Sequence, residues 1–264
     1  MSPAETSAAT FISDLHLGST NCHAEALCDF LAHVRTEKLY LVGDVVDLWW
    51  ISARRARFDR HQHQVLQQLH RLARVGTELI YIPGNHDRPL RDLCGLVLPR
   101  MTVRRQAIHR AADGRRYLVT HGDDFDAHVQ RGDWQEWLGD RLYDYILAGN
   151  RLTHQMRQRL GLRYWSLADF IKRQSSQAER YIARFREAAL RAAAARGLAG
   201  VICGHIHRPA LEQIDGLIYA NDGDWVESMT ALREGPNGQL ALLRWTGRHE
   251  LLAEMQAAPL LLAA

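Results

Sequence analysis

Short apolar runs, each followed at once by Gly, Asp, Asn or His, recur along the chain. They are rich in β-formers and lie at Ala9–Ser13, Leu39–Val42, Leu79–Pro83, Tyr117–Thr120 and Gly200–Cys203. Runs that are apolar on both faces are typical of strands inside a sheet that helices cover. Because open α/β sheets bind ligands just past the carboxyl ends of their strands, the following polar residues are predicted to share one rim.

The segments between the early runs have helical periodicity and predict helices, as at His23–Arg35 and Asp59–Val75. Next come Thr102–His109 and Arg116–Thr120, which predict a β-hairpin with its turn at Asp113-Gly114.

The end of the chain also predicts strands, at Leu217–Leu232 and Leu240–Trp245, with a turn at Pro236-Asn237-Gly238. Together these patterns predict two sheets packed face to face, with helices outside.

The stretch between His121 and Gly204 has no strand pattern and is helical in character, most strongly over Ser175–Arg196. We interpret residues 125–195 as a helical insertion that packs over the rim as a lid, within a single domain spanning residues 1–264. The alternative is that these helices simply cover the sheet.

The overall charge of +3 is too small to indicate a nucleic-acid partner. The four cysteines, Cys22, Cys28, Cys94 and Cys203, lack metal-finger or disulfide spacing, so reduced thiols are expected. The first residues lack the pattern of a signal peptide, and no apolar run is long enough to span a bilayer. We expect a cytoplasmic protein whose membrane contact, at the inner membrane, is peripheral.

Five polar clusters follow the predicted strands. Each cluster has an ordinary structural alternative, such as a helix cap or a turn. Five such clusters in order, each at the end of a predicted strand, favour a single functional site. Carboxylate and imidazole suit Mn, Fe or Zn, and two metals held by a bridging carboxylate activate water for attack at phosphorus. The clusters are Asp14-Leu15-His16, Gly43-Asp44 with Asp47, Gly84-Asn85-His86-Asp87, His121-Gly122-Asp123 and Gly204-His205-Ile206-His207.

This ordered set resembles the motifs of the calcineurin-like metallophosphoesterase superfamily. The resemblance implies a four-layer αββα sandwich with two divalent metal ions, for which we favour manganese over iron or zinc. It implies that Asp44 bridges the metals. The implied ligands are Asp14, His16, Asp44 and His207 for the first metal, and Asp44, Asn85, His121 and His205 for the second.

The same resemblance gives catalytic roles to two further residues. His86 is expected to stay outside the metal shell, stabilising the phosphoryl transition state or protonating the leaving oxygen. Asp87 is expected to orient His86 by fixing its tautomer.

A narrower resemblance is to the UDP-2,3-diacylglucosamine diphosphatase family. It rests on Phe11–Leu17, the Trp49-Trp50 pair, the helical insertion, Gly204–Pro209 and Asn221–Trp225. It implies hydrolysis of a pyrophosphate bond in lipid A biosynthesis, giving UMP and lipid X. Well-known members carry arginine where this chain has His86, which marks a sister branch whose substrate can differ.

The insertion supplies candidate substrate-binding residues. Lys172, Arg173, Arg180 and Arg184 fall at near-helical spacings and suit a phosphate, while Trp165, with Tyr164, Leu167 and Phe170, suits an acyl groove. The alternatives are a solvated charged face and an ordinary core stripe.

The sequence therefore predicts a metal-dependent phosphoesterase that acts on a nucleotide-linked or phosphorylated lipid. Two alternatives stay open: a phosphodiesterase or phosphomonoesterase for another lipid or small molecule, and a metal-binding scaffold without activity.

Overall fold

The computed structural model describes residues 6–53, 56, 58–126 and 176–256. The chain divides into two units, one formed by residues 1–123 and 189–264 and the other by residues 124–188. The strands, in chain order, are β1 (Ser7–Ile12), β2 (Thr36–Leu41), β3 (Glu78–Tyr81), β4 (Val97–Leu98), β5 (Met101–Val103), β6 (Ala107–Arg110), β7 (Arg116–Val119), β8 (Gly200–Cys203), β9 (Ala210–Ile214), β10 (Leu217–Asn221), β11 (Thr230–Glu234), β12 (Leu240–Trp245) and β13 (His249–Met255).

The helices differ in length and in how they begin. Asp59 caps α3, because its carboxylate accepts a hydrogen bond from Gln62 N at 2.9 Å. The α-helices are α1 (Ala24–His33), α2 (Leu48–Ser52), α3 (Arg60–Arg74) and α4 (Ser176–Ala194), and short 3-10 helices span Arg88–Leu93 and Asp123–Phe125.

The strands form two sheets. The first has the order β13-β12-β11-β1-β2-β3-β5-β4, in which β1, β2, β3 and β5 run parallel. The second has the order β6-β7-β8-β10-β9, in which β7, β8 and β10 run parallel. The five polar clusters follow five of these seven parallel strands, namely β1, β2, β3, β7 and β8, whose carboxyl ends bring the clusters together.

The core lies between the sheets. Phe11 and Tyr40 of the first sheet share a buried cluster with Tyr117, Val119 and Ile202 of the second. The predicted mixed α/β fold with two facing sheets is therefore confirmed.

Two predicted strands were each too long. Thr102–His109 is divided between β5 and β6, and Leu217–Leu232 between β10 and β11, so each pair of strands lies in two different sheets. The exposed polar residues at 104–106 let the chain cross from one sheet to the other. The hairpin itself is confirmed, with β6 antiparallel to β7 and the turn at Asp113-Gly114.

The helix predicted at Ser175–Arg196 corresponds to α4. Most of the predicted insertion, including Trp165, Lys172 and Arg173, lies outside the described residues, so its position as a lid stays a prediction. Among the helices that the structure describes, none is both long and apolar enough to cross a membrane.

Candidate metal centre

Seven polar residues lie at the carboxyl ends of strands from both sheets. Those from the first sheet follow β1, β2 and β3, and those from the second follow β7 and β8. The sequence-based expectation of one rim thus corresponds to an edge that the two sheets share. We call the seven residues the rim cluster: Asp14, His16, Asp44, Asn85, His121, His205 and His207.

Five members of the rim cluster have a left-handed backbone that non-glycine residues rarely adopt. The φ angles are 53° at Asp14, 46° at His16, 51° at Asp44, 69° at His205 and 50° at His207. Such conformations cost on the order of 1–3 kcal/mol each and persist where the surrounding structure holds them for function. Their concentration here makes the rim cluster a candidate functional site.

Two glycines let the backbone approach this cluster closely. Gly43 has φ of +91°, and a Cβ atom on it would collide with the His121 ring. A Cβ atom on Gly84 would collide with the Asp44 carboxylate. Space therefore requires glycine at both positions, and at Gly43 the backbone conformation requires it as well.

His121 directs a lone pair into the centre of the site. Its Nδ1 donates to the Val42 carbonyl at 2.8 Å, which leaves Nε2 without a proton in the neutral ring. That Nε2 lies 3.1 Å from Asn85 Oδ1 and 3.4 Å from Asp44 Oδ2. Three acceptor atoms that converge in a buried place require a cation or an added proton.

His16 is held in the same way. Its Nδ1 lies 3.1 Å from Asp47 Oδ2, and its Nε2 lies 3.8 Å from both Asp14 Oδ1 and Asp44 Oδ2. Within the described residues, His16 Nε2 and Asp14 Oδ1 are buried without a hydrogen-bond partner. Buried polar atoms left without a partner are costly, so a bound ion is the simplest way to satisfy them.

The second sheet completes the arrangement. His207 Nε2 lies 3.1 Å from Asp14 Oδ1, and the ring of His205 lies 5.1 Å from that of His121. Among the described residues, three groups have ligand atoms close enough to share an ion. These groups are Asp14, His16 and His207; Asp14, Asp44 and His121; and His16, Asp44 and His86.

The electrostatics also fit a cation site. Burial alone would raise the pKa of Asp14, but neighbouring His207 and His121 hold it well below its usual range. Burial alone would lower the pKa of His16 and His121, but nearby carboxylates raise both well above the usual value. The paired carboxylates therefore favour positive charge at this place, and a metal ion bound there would require neutral imidazole ligands.

The structure corrects one expected role. The Asp87 carboxylate accepts hydrogen bonds from Gly84 N and Tyr81 OH, each at 2.5 Å, and from Val45 N at 2.8 Å. Burial, with the nearby Asp44 charge, raises the pKa of Asp87. Asp87 therefore braces the loop that carries Asn85 and does not orient His86, because its oxygens are already engaged with this loop and its neighbours.

Asp47 is the carboxylate that faces His86. Its Oδ2 lies 3.2 Å from His86 Nδ1 and 3.1 Å from His16 Nδ1, while its Oδ1 accepts from Trp50 N and caps α2. The two imidazoles hold the pKa of Asp47 below its usual range, against the effect of burial. The sequence signal for a role of Asp47 in the site was its position shortly after Asp44.

Trp49 covers one face of the His86 ring. The rings stack with centroids 4.0 Å apart at 29°, and Trp49 is 48% exposed. His86 therefore lies between a buried carboxylate and an exposed aromatic ring at the mouth of the site.

A buried carboxyl group lies behind Asp14. Ser13 Oγ donates to Asp222 Oδ1 at 2.6 Å, and Trp225 N donates to the Asp14 carbonyl at 3.1 Å. Burial, together with the charge of Asp14, raises the pKa of Asp222 well above its usual value. The loop after β10 therefore buttresses the loop that carries the first aspartate.

The substrate-binding residues expected in the insertion are placed only in part. Arg180 and Arg184 lie on α4 in the unit formed by residues 124–188, and both are exposed. Lys172, Arg173 and Trp165 lie outside the described residues. The role of this group in substrate binding stays a prediction.

Comparison with known proteins gives consistent matches. The family model described as calcineurin-like phosphoesterase matches residues 9–209. The UDP-2,3-diacylglucosamine hydrolase of Pasteurella multocida is 28% identical over 250 residues, covering 88% of this chain and 96% of that protein. The protein of the same name from Marinobacter nauticus is 26% identical over 265 residues, covering 92% and 98%. A solved phosphoesterase from E. coli superposes with a TM-score of 0.47 at 14% identity, covering 95% of this chain and 99% of that one.

Proposed function

The chain belongs to the calcineurin-like phosphoesterase family, and from that premise we propose that this metal-dependent hydrolase cleaves the pyrophosphate bond of UDP-2,3-diacylglucosamine. Water would attack one phosphorus atom, the bridging phosphorus–oxygen bond would break, and the products would be UMP and lipid X. The convergence of the rim cluster carries the hydrolytic part of the proposal. Relatives named for this substrate, aligned over nearly the whole chain, support the choice of substrate.

The rim cluster fits two divalent ions, because unpartnered buried acceptors converge on its centre. We assign Asp14, His16, Asp44 and His207 to one ion and Asp44, Asn85, His121 and His205 to the other, with manganese as the favoured metal. When bound, such ions lower the pKa of a water molecule and stabilise negative charge on the phosphoryl oxygens.

His86 is the residue proposed to act on the leaving group. It is partly exposed at the mouth of the site, and Asp47 and Trp49 fix its ring. An imidazole held in this way can hold a proton at Nε2 for the departing oxygen. Asp87 enters the proposal as a brace for the Asn85 loop.

A panel of four substrates tests the proposal in the manganese-loaded protein. It contains UDP-2,3-diacylglucosamine, UDP-N-acetylglucosamine, p-nitrophenyl phosphate and bis-p-nitrophenyl phosphate. We expect kcat/KM to be highest for the diacylated nucleotide by on the order of 10² or more, because binding energy from the acyl chains can be used in the transition state. Equal values for the acylated and non-acylated nucleotides would rule out the lipid substrate.

One observation favours a second candidate, hydrolysis of another phosphate ester. The resemblance to the UDP-2,3-diacylglucosamine diphosphatase family implies arginine at position 86, and this chain has His86 there. Preference for p-nitrophenyl phosphate over both nucleotides would select a phosphomonoesterase, and preference for the bis ester would select a phosphodiesterase. No turnover of any substrate with both metals bound would instead indicate a scaffold.

We further propose that the protein works in the cytoplasm and meets its substrate at the inner membrane by peripheral contact. A diacylated substrate partitions into bilayers, so an enzyme for it gains from approaching the lipid surface.

A further inference from the structure

An exposed apolar segment follows directly on the loop that carries His86. Every residue from 92 to 100 is exposed, and within this segment Leu93 is 46%, Leu96 41%, Val97 73% and Leu98 45% exposed. Soluble proteins rarely present so many consecutive apolar side chains to water unless a partner covers them. We call residues 93–98 the β4 edge, because β4 is the last strand of the eight-stranded sheet.

The β4 edge is held firmly in place. Gly95 N donates to the Val103 carbonyl at 2.9 Å, and Val103 N donates to the Leu96 carbonyl at 3.0 Å. At its start, Arg91 binds both oxygens of Asp123 at 2.7 Å. The apolar side chains therefore project from a fixed scaffold, so no ordering is needed before a partner binds.

The charge around the β4 edge indicates the partner. Within the described positions 88–105, the exposed arginines are Arg88, Arg100, Arg104 and Arg105, and the one acidic residue is Asp92. Apolar side chains ringed by arginine are typical of surfaces that insert shallowly into a bilayer with anionic headgroups.

The opposite edge of the same sheet provides an internal contrast. On β13, Leu251 is 56% and Leu252 37% exposed, and their exposed charged neighbours are Arg248, Glu250 and Glu254. The exposed charges at positions 248–254 are therefore mainly acidic, whereas those at positions 88–105 are mainly basic. An anionic surface would favour the β4 edge over the β13 edge.

We propose that the β4 edge docks the protein on anionic phospholipid bilayers, with the apolar side chains entering the interface and the arginines contacting the headgroups. The inference builds on the proposed membrane-borne substrate. It places the docking surface one short 3-10 helix away from His86, so a docked protein would have the mouth of its site near the lipid.

Vesicle co-sedimentation tests the inference without any substrate. The full chain is mixed with vesicles of phosphatidylcholine alone or with added phosphatidylglycerol, and the variants Leu96→Asp/Val97→Asp and Leu251→Asp/Leu252→Asp are compared. We expect wild type to bind the phosphatidylglycerol vesicles and to dissociate as salt rises. The β4-edge variant should lose at least about tenfold in affinity, while the β13 variant should bind like wild type.

Circular dichroism and turnover of p-nitrophenyl esters check that the variants are folded, since neither pair of positions touches the rim cluster. Equal vesicle binding by wild type and the folded β4-edge variant would overturn the inference, as would equal binding to neutral and anionic vesicles. A wild-type dimer that the β4-edge variant abolishes would assign the surface to a second copy, which also overturns it. The protein could bind vesicles through the β4 edge and yet fail to hydrolyse UDP-2,3-diacylglucosamine. That result would refute the proposed substrate and would still support the docking surface.

Discussion

Histidine meets carboxylate in two buried regions of this molecule. One is the rim cluster, and the other lies further along the same sheets, where His109 of β6 faces Glu234 of β11. In the second region every polar atom is engaged: His109 Nε2 lies 2.5 Å from Glu234 Oε2, His109 Nδ1 lies 3.1 Å from Tyr40 OH, and Ala112 N donates to Glu234 Oε1 at 2.7 Å. In the rim cluster, Asp14 Oδ1 and His16 Nε2 make no hydrogen bond to any described residue, although charged groups of opposite sign lie nearby.

The backbone conformation also differs between the two regions. His109 and Glu234 lie within regular strands, whereas Asp14, His16 and Asp44 have positive φ just after strands end. A satisfied network on relaxed backbone contributes to stability, and an unsatisfied one on strained backbone points to a ligand. The comparison therefore separates two clusters of similar composition into a structural one and a functional one.

Removal of Asp44, the carboxylate proposed to bridge the two ions, should give the largest effect. Asp44→Asn takes away the anion shared by the two proposed ions, and loss of several kcal/mol of metal-based stabilisation lowers kcat on the order of 10⁴-fold. Elemental analysis should show fewer than two metals per chain. A variant that keeps two metals and wild-type turnover would show that the rim cluster is not the functional region.

The next effect concerns His86, whose nitrogen lies close enough to His16 and Asp44 to join a metal site. If His86 acts on the leaving group instead, His86→Ala should lower kcat by on the order of 10²–10⁴ with metal content unchanged. Loss of metal from the variant would move His86 into the ligand set.

A substitution in the buried pair His109 and Glu234 should change the stability of the protein and leave its activity unchanged. Glu234→Gln keeps the shape of the side chain but leaves His109 beside a neutral amide, so the free energy of unfolding should fall by about 3 kcal/mol. Denaturant titration measures that loss, and kcat per folded molecule should be unchanged. A large fall in kcat without a loss of stability would remove the distinction between the two regions.

The sequence predicted the parts of the site that depend on strand ends. Asp14, Asp44 and His121 each follow an apolar run, and the carboxyl ends of parallel strands must meet, so their proximity followed from pattern alone. The position of Asp47 rather than Asp87 next to His86 did not follow from it, because side-chain direction after a tight turn depends on φ angles that residue types do not determine. The interior pair also escaped prediction, since His109 and Glu234 are 125 positions apart and pair only through the packing of two sheets.

The smallest effect tests whether Asp47 belongs to the functional region or is only a helix cap. Asp47→Asn keeps a good capping residue for α2 but removes the charge that faces His16 and His86. The matched control is Asp59→Asn on α3, where the carboxylate caps the helix through Gln62 N. Asp59→Asn should unfold within a few tenths of a kcal/mol of wild type. Asp47→Asn should lose more, because it also takes a buried carboxylate away from His16 and His86.

Only Asp47→Asn should also reduce metal affinity or kcat, by about 10- to 100-fold, which is typical when a residue that orients a ligand histidine is lost. Metal titration and steady-state kinetics on the same preparations measure both quantities. If Asp47→Asn and Asp59→Asn behave alike in kcat and metal affinity, Asp47 acts as a cap alone. The boundary of the functional region would then lie at the seven rim residues and His86, because the contact between Asp47 and the two imidazoles would contribute nothing to either measurement.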